Sequence, residues 1–213
     1  LGQSMVSSGV IQRHNGHAAG LPLAAPTHLA REQHIFDALV PQLPSLDRLN
    51  ILDVGCGWGG IGHKFVQKGA HVTFLDGRPD NLSHAIMGIP GQNYMLANLD
   101  GSLQQLPEAD IVLCLGVLYH IPDPDRLIQR LAQCAPIMAL ESACIDHDGD
   151  ALVFMTEDTA ESDYSLTGGA CRPSPGWIEN ALHRADYTNV QELTVAPVPP
   201  TEGWTGELWQ WEF

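Results

Sequence analysis

The rhythm of apolar positions in this chain changes at Ile51. Before it, Leu29, Phe36, Leu39 and Val40 recur near helical spacing, which predicts a helix from the capping Thr27 to about Pro41, ended by PQLPSLDRLN. From Ile51 onward short apolar runs alternate with amphipathic stretches. ILDV reads as a strand, IGHKFVQKG as a helix closing on Gly69, HVTFLD as a second strand and PDNLSHAIMG as a second helix. NYMLANL is a third strand. ADIVLCLGVL is a fourth, too apolar to face water on either side, and it is followed by the helix DPDRLIQRLAQC and the strand PIMALESAC. This alternation predicts an α/β, doubly wound, mostly parallel sheet with helices on both faces.

After Cys144 the alternation falters, and residues 144–172 read as an acidic, loop-like segment of the kind from which functional loops are drawn. Order returns at Ser174, a cap with Pro175 at the first helical position, opening SPGWIENALHRA. YTNVQELTV and GELWQWEF, joined through VPPTEGW, predict a C-terminal antiparallel hairpin that completes a seven-stranded sheet. Residues 1–26 are rich in Gly, Ser and Ala without periodicity. With the helix after them, residues 1–40 are expected to form an arm and lid over a single domain spanning 1–213.

Charge narrows the partners. Against 25 acidic residues stand 10 basic ones, a formal net charge of -15, and the lysines are Lys64 and Lys68 alone. Nucleic-acid affinity rests on clustered Lys and Arg against phosphates, so a DNA or RNA substrate is disfavoured and a small molecule expected. No apolar run is long enough to span a bilayer and no secretory signal pattern stands at the N-terminus, so the expected setting is cytoplasmic and away from membranes. The five cysteines are scattered and never form C-x-x-C, which fits reduced thiols; no metal site is expected.

The chemistry gathers at LDVGCGWGG. Gly55, Gly57 and Gly60 satisfy the dinucleotide pattern G-x-G-x-x-G, with Asp76 at the end of the second strand as a ribose-binding carboxylate. The same stretch reads D-x-G-x-G-x-G through Asp53, Gly55, Gly57 and Gly59. Here, and over roughly residues 50–145, the chain resembles the class I S-adenosylmethionine-dependent methyltransferases. An acid at Asp53 suits a donor that carries an ammonium and a sulfonium, and would repel a pyrophosphate; it equally suits a cap for the following helix. The resemblance implies S-adenosyl-L-methionine as cofactor and S-adenosyl-L-homocysteine as product. Asp53, Gly55, Cys56 (mainly by its backbone), Gly57 and Leu115 would lie along the methionine end, Asp76 at the ribose, and Asn98 and Leu99 at the adenine, with Asp100 as the competing position.

On the acceptor side the resemblance places Tyr119 and His120 at the mouth of the pocket. His120 follows the fourth strand, where open sheets bind ligands; as a catalytic candidate it is a general base, and otherwise it orients substrate or bonds a loop carbonyl. DYSLTGGACRPSPGWIENAL is similar to small bacterial methyltransferases and, more weakly, to the tRNA wobble-uridine carboxymethyltransferases, which share L-G-x-L-Y-H after the fourth strand; the charge argues against carrying over a tRNA substrate. Arg172 there could clamp an acceptor carboxylate or phosphate or pair with a neighbouring acid, and Tyr164 could close over the pocket or simply pack. The expected function is in-line methyl transfer to a small molecule. An NAD(P)-dependent oxidoreductase and a nonenzymatic cofactor-binding sensor are the alternatives.

Overall fold

The computed structural model describes residues 3–4, 26–101, 105–161 and 163–193. At its centre is a five-stranded, wholly parallel sheet in the order β4-β3-β2-β5-β6, built from β2 (Asn50–Val54), β3 (His71–Asp76), β4 (Asn93–Leu96), β5 (Ile111–Leu115) and β6 (Ile137–Glu141). Helices α1 (Pro26–Leu39), α2 (Gly60–Val66), α3 (Pro79–Gly88), α4 (Pro124–Ala132) and α5 (Pro175–Arg184) flank it. The doubly wound plan predicted from the alternation is therefore present. The strand count differs from the expected seven: five strands make the parallel sheet among the described residues.

The period-two rule of strands explains how two cores arise from one sheet. Along β5, Ile111, Leu113 and Leu115 pack on one face while Val112 and Cys114 pack on the other. The first face is covered by Ile35, Phe36 and Leu39 of α1 and by Ile61 and Phe65 of α2. Phe36 and Phe65 meet edge to face with ring centroids 4.9 Å apart, a geometry that adds aromatic attraction to burial. The opposite face is covered by Leu127, Ile128 and Leu131 of α4 and by Trp177, Ala181 and Leu182 of α5. Leu29, expected on the buried stripe of α1, is half exposed; Ile35 takes its place.

Helix boundaries follow the capping rules. Asp123 accepts the amide of Arg126 at the start of α4, and Ser174 accepts that of Trp177 at the start of α5, each with proline at the first helical position. Ser174 also donates to the Gly149 carbonyl at 2.6 Å, tying α5 to the segment before it.

That segment corrects an expectation. Residues 144–172, read as a loop, contain β7 (Leu152–Thr156), which pairs antiparallel with β8 (Gly169–Pro173) as a two-stranded ribbon. Phe154 is 65% exposed, so no inward-outward alternation marks the strand in the sequence. The predicted C-terminal hairpin is described only at its start: β9 (Tyr187–Asn189) pairs in parallel with β1 (Gln3–Ser4), and GELWQWEF lies outside the described residues, as does most of the 1–26 arm. No described helix is long and apolar enough to cross a membrane.

Candidate active site

The sheet reverses its winding between β2 and β5, and ligands of open α/β sheets bind at the carboxyl ends beside such a reversal. Two loops meet there, one after each strand. Gly55 (φ +65°), Gly57 (φ +56°) and Gly59 (φ +82°) hold left-handed backbone in the first, and Gly116 (φ +90°) does so in the second. The loops touch: a Cβ added at Gly55 would stand 2.6 Å from Val117 Cβ, and one at Gly116 would stand 2.8 Å from Arg31 Nη2. The Cys56 amide donates to the Leu75 carbonyl (3.0 Å) and the Gly57 amide to Asp76 Oδ2 (2.9 Å), so the first loop is stitched to β3.

Strand parity decides which acids gather at this point. Ile51 of β2 and Ala139 of β6 belong to the core under α1 and α2, so Asp53 and Glu141, two residues on, face the same side. Helix α1 brings Arg31 and Glu32 to meet them. Arg31 forms a bidentate pair with Glu141, with Nε 3.2 Å from Oε1 and Nη2 on Oε2. Burial works to lower the guanidinium's proton affinity, but the Glu141 carboxylate outweighs it and holds the group above its usual range. Glu32 lies directly on Gly60, where an added Cβ would collide with its carboxylate.

Asp53 is only 4% exposed. Burial, then the charge of Glu32, pushes its carboxyl up to about 7; a hydrogen bond from the Gly62 backbone pulls the other way, and Asp76 adds to the upward push. Burial raises Glu32 as well, against the attraction of Lys64. Asp76 takes three protein donors, with Oδ1 accepting from the Arg78 amide (2.8 Å) and Asn81 Nδ2 (3.2 Å) and Oδ2 from the Gly57 amide. Glu32, Asp53 and Asp76 thus stand around the glycine loop, and the Arg31 guanidinium beside Gly116 of the facing loop is paired with Glu141.

The acceptor side is built on the turn Leu118–His120, which follows β5 directly, and on the ribbon of β7 and β8. His120 Nδ1 lies 2.6 Å from Glu157 Oε2, and Arg172 Nη2 donates to Glu157 Oε1 at 3.1 Å. Burial works to raise the Glu157 carboxyl, but hydrogen bonding and charge from His120, the Ser165 amide and Arg172 outweigh it and hold the group at about 2. Arg172 also donates to the Tyr119 carbonyl (3.1 Å) and stands 5.0 Å over the Tyr119 ring. The Tyr164 ring stacks on His120 at 6.3 Å, and burial, then Glu141, pushes the Tyr119 hydroxyl up to about 12.

The structure therefore brings His120, Tyr164 and Arg172 together, around Glu157. It places Asp53, Gly55, Cys56, Gly57, Asp76 and Leu115 around the two facing loops. Asn98 and Leu99 follow the end of β4 and line a cavity of about 270 Å³ with Leu96, Ala97, Gly101, Leu106 and Arg130. Asn98 Oδ1 accepts the Asp100 amide, and Asp100 itself accepts from Thr167, so neither side chain stands alone at the turn. The Cys56 amide is held by the Leu75 carbonyl, and its thiol is pushed beyond the usual range by burial and then by Asp53. Trp58 stacks on His84 of α3 with centroids 4.4 Å apart. Three residues have no role in the sequence reading: Glu157, which follows a strand without inward-outward alternation, and Arg31 and Glu32, whose place depends on where α1 packs.

Comparison with known proteins agrees with this geometry. Residues 52–136 match a family model described as a methyltransferase domain. A ubiquinone biosynthesis O-methyltransferase from Photorhabdus laumondii is 37% identical over 89 residues, covering 39% of this chain and 37% of that protein. The chain thus spans well under half the length of that relative. Among solved structures, an S-adenosylmethionine-dependent methyltransferase from Mesorhizobium loti superposes with a TM-score of 0.54 at 19% identity, over 77% of this chain and 82% of that one. Magnesium protoporphyrin IX methyltransferase from Synechocystis, solved with S-adenosylmethionine bound, gives 0.52 at 20% identity over 78% and 75%.

Proposed function

We propose that this chain, whose residues 52–136 are a methyltransferase domain on the class I fold, binds S-adenosylmethionine at the β2/β5 reversal and methylates a small-molecule acceptor. The observation that carries the reading is the trio of Glu32, Asp53 and Asp76 around the glycine loop. Such a field favours a ligand with fixed positive charge and opposes a pyrophosphate, which argues against the oxidoreductase alternative.

The residues present fit this cofactor. Gly55 and Gly57 keep side chains out of the loop, Asp53 and Glu32 offer negative charge to the methionine end, and Leu115 with Gly116 forms its floor. Asp76 Oδ2, with one protein donor, keeps a lone pair for a ribose hydroxyl, and Asn98 and Leu99 after β4 would face the adenine. S-adenosylmethionine supplies a methyl group on a sulfonium leaving group. The protein then has chiefly to align the acceptor with it and exclude water.

His120, Tyr164 and Arg172 line the acceptor side of this reading. The connection between β7 and β8 closes it: Leu166 packs on Gly77, and the Arg78 guanidinium reaches the carbonyls of Tyr164 (3.1 Å) and Thr159 (3.4 Å). Helix α1 closes the other edge through Arg31 and Glu32. The names of the relatives, which concern ubiquinone biosynthesis and a protoporphyrin, support a small-molecule acceptor over a polymer. Because Arg172 is engaged by Glu157 and the Tyr119 carbonyl, an acceptor carboxylate or phosphate would have to compete with those partners.

Calorimetry with S-adenosylmethionine, S-adenosylhomocysteine, NAD and NADP tests the reading. Binding of the first two and not the nicotinamides is expected, and the reverse pattern would sink it. Turnover against a small-molecule panel then separates an enzyme from a sensor.

A further inference from the structure

We propose that Glu157 and His120 form a carboxylate–imidazole pair that takes the proton from a weakly acidic hydroxyl acceptor, which makes the chain an O-methyltransferase of phenolic or enolic substrates. This rests on the methyltransferase reading above and assigns the chemistry of its acceptor side. His120 is the proton acceptor, and Glu157 is its positioning residue.

Geometry carries the argument. Glu157 directly follows β7 with its side chain 3% exposed, and each of its oxygens is fixed by a protein donor: Oε1 by Arg172 at 3.1 Å and Oε2 by the Ser165 amide at 2.9 Å. A carboxylate held this way cannot swing. Its Oε2 faces His120 Nδ1 at 2.6 Å, so Nδ1 carries the hydrogen of that bond and Nε2 is the nitrogen that takes up a proton. When it does, the imidazolium gains an anionic partner already in place. Tyr119, with its ring centroid 4.1 Å away, and Tyr164 wall the imidazole with aromatic faces. His120 is also three residues beyond Val117, which packs on Gly55 of the cofactor loop, so proton acceptor and donor site share one edge of the sheet.

The arrangement selects the acceptor class. A phenolic hydroxyl has an ordinary pKa of about 10, so it is almost wholly protonated near neutrality and gains from a base, whereas a weakly basic aromatic amine is neutral there and already presents its lone pair. In the step, the acceptor O–H bond breaks and its proton goes to His120 Nε2. The oxygen forms a bond to the methyl carbon, and the carbon–sulfur bond breaks with its electron pair moving to sulfur, leaving a neutral thioether. No further reactant is needed.

Two measurements on the full chain test this. Nitrogen-15 spectra of histidine-labelled protein should show His120 as the Nδ1–H tautomer; the Nε2–H tautomer would overturn the pairing without reference to activity. Turnover is then followed from pH 6 to pH 10 against panels of monophenols, catechols and aromatic amines. For phenols, E157Q and H120Q should lower kcat near neutrality by about 10²-fold or more, with KM for S-adenosylmethionine unchanged. The loss should shrink as the pH approaches 10 and the acceptor ionises by itself, and E157D, which keeps the carboxylate, should recover part of the rate. An equal loss at every pH would make Glu157 a structural clasp and overturn the proposal, as would methylation of amines without phenols. Failure of S-adenosylmethionine to bind in calorimetry would instead remove the underlying methyltransferase reading.

Discussion

Binding of S-adenosylmethionine should release a proton from Asp53. In the ligand-free chain this carboxyl lies at about 7 against an ordinary 3.8, chiefly because burial leaves its charge without solvent and because Glu32 is near. That gap corresponds to about 4 kcal/mol of cost for keeping Asp53 ionised, as an upper bound in order of magnitude. Between 3.8 and 7 the folded chain holds a proton that the unfolded chain has lost, so ligand-free stability should fall as the pH rises through this window. An ammonium or sulfonium fixed beside the loop acts in the opposite direction, lowering a nearby carboxyl by about 1–3 pH units. Affinity should therefore strengthen between pH 6 and pH 8, by up to about tenfold per pH unit where the free protein is protonated and the complex is not. The assay is calorimetry at pH 6.5 in two buffers of different ionisation enthalpy, which counts protons directly. Up to about one proton should be released by the wild type and none by Asp53→Asn, whose affinity should also lose its pH dependence. Proton uptake, or a flat affinity with no proton released, would refute the view that this loop is an acidic cradle for a cation.

Other consequences follow from the same geometry. Asp76→Ala removes an acceptor from the Gly57 amide, the Arg78 amide and Asn81 at once, so cofactor affinity should fall by about tenfold or more and the melting temperature should drop, both readable by thermal shift with and without S-adenosylhomocysteine. Gly55→Ala forces a Cβ to 2.6 Å from Val117 on a backbone at φ +65°, and should cost about 1–3 kcal/mol in urea denaturation while weakening cofactor binding. Phe65→Ala, at a fully buried position in contact with Phe36, should cost about 3–5 kcal/mol in the same assay without altering the acceptor profile. Glu157, held at about 2 against an ordinary 4.5, contributes stability that is present above pH 4.5 and lost as the pH falls toward 2; E157Q should show a shallower acid-unfolding curve across that window.

What the sequence could reveal divides along a physical line. The doubly wound sheet was legible because its strands lie in the core, where Ile111–Leu115 has no choice but to be apolar throughout, and because the helices between them carry caps such as Ser174 and Asp123. The glycine loop was legible because left-handed backbone at Gly55, Gly57 and Gly59 demands that residue type. The ribbon of β7 and β8 was not, because it lies outside the sheet with Phe154 turned to solvent, and period-two patterning exists only where one face of a strand is buried. The acids that accompany the loop were half legible: Asp53 announced itself by its place at the end of a strand, whereas the positions of Glu32 and Glu141 relative to it depend on how α1 and β6 pack.

Parity supplies the missing step for those two. Once β2 and β6 belong to one sheet, the burial of Ile51 and Ala139 against α1 forces Asp53 and Glu141 onto that same face, and a helix crossing it must answer two buried carboxylates. Arg31 answers Glu141, and among the described residues no cation answers Asp53, which meets Glu32 and responds by holding its proton to about pH 7. A chain selected only for folding would gain by placing a second cation at Glu32 or an amide at Asp53, since an acid raised this far costs stability at every higher pH. The acidic pair is therefore best understood as a cost retained for a cationic ligand. The substitution Glu32→Gln tests that reasoning: it should raise ligand-free stability at pH 8, where Asp53 is ionised, while weakening S-adenosylmethionine binding. A variant that gained stability with unchanged affinity would detach the acids of this loop from its ligand.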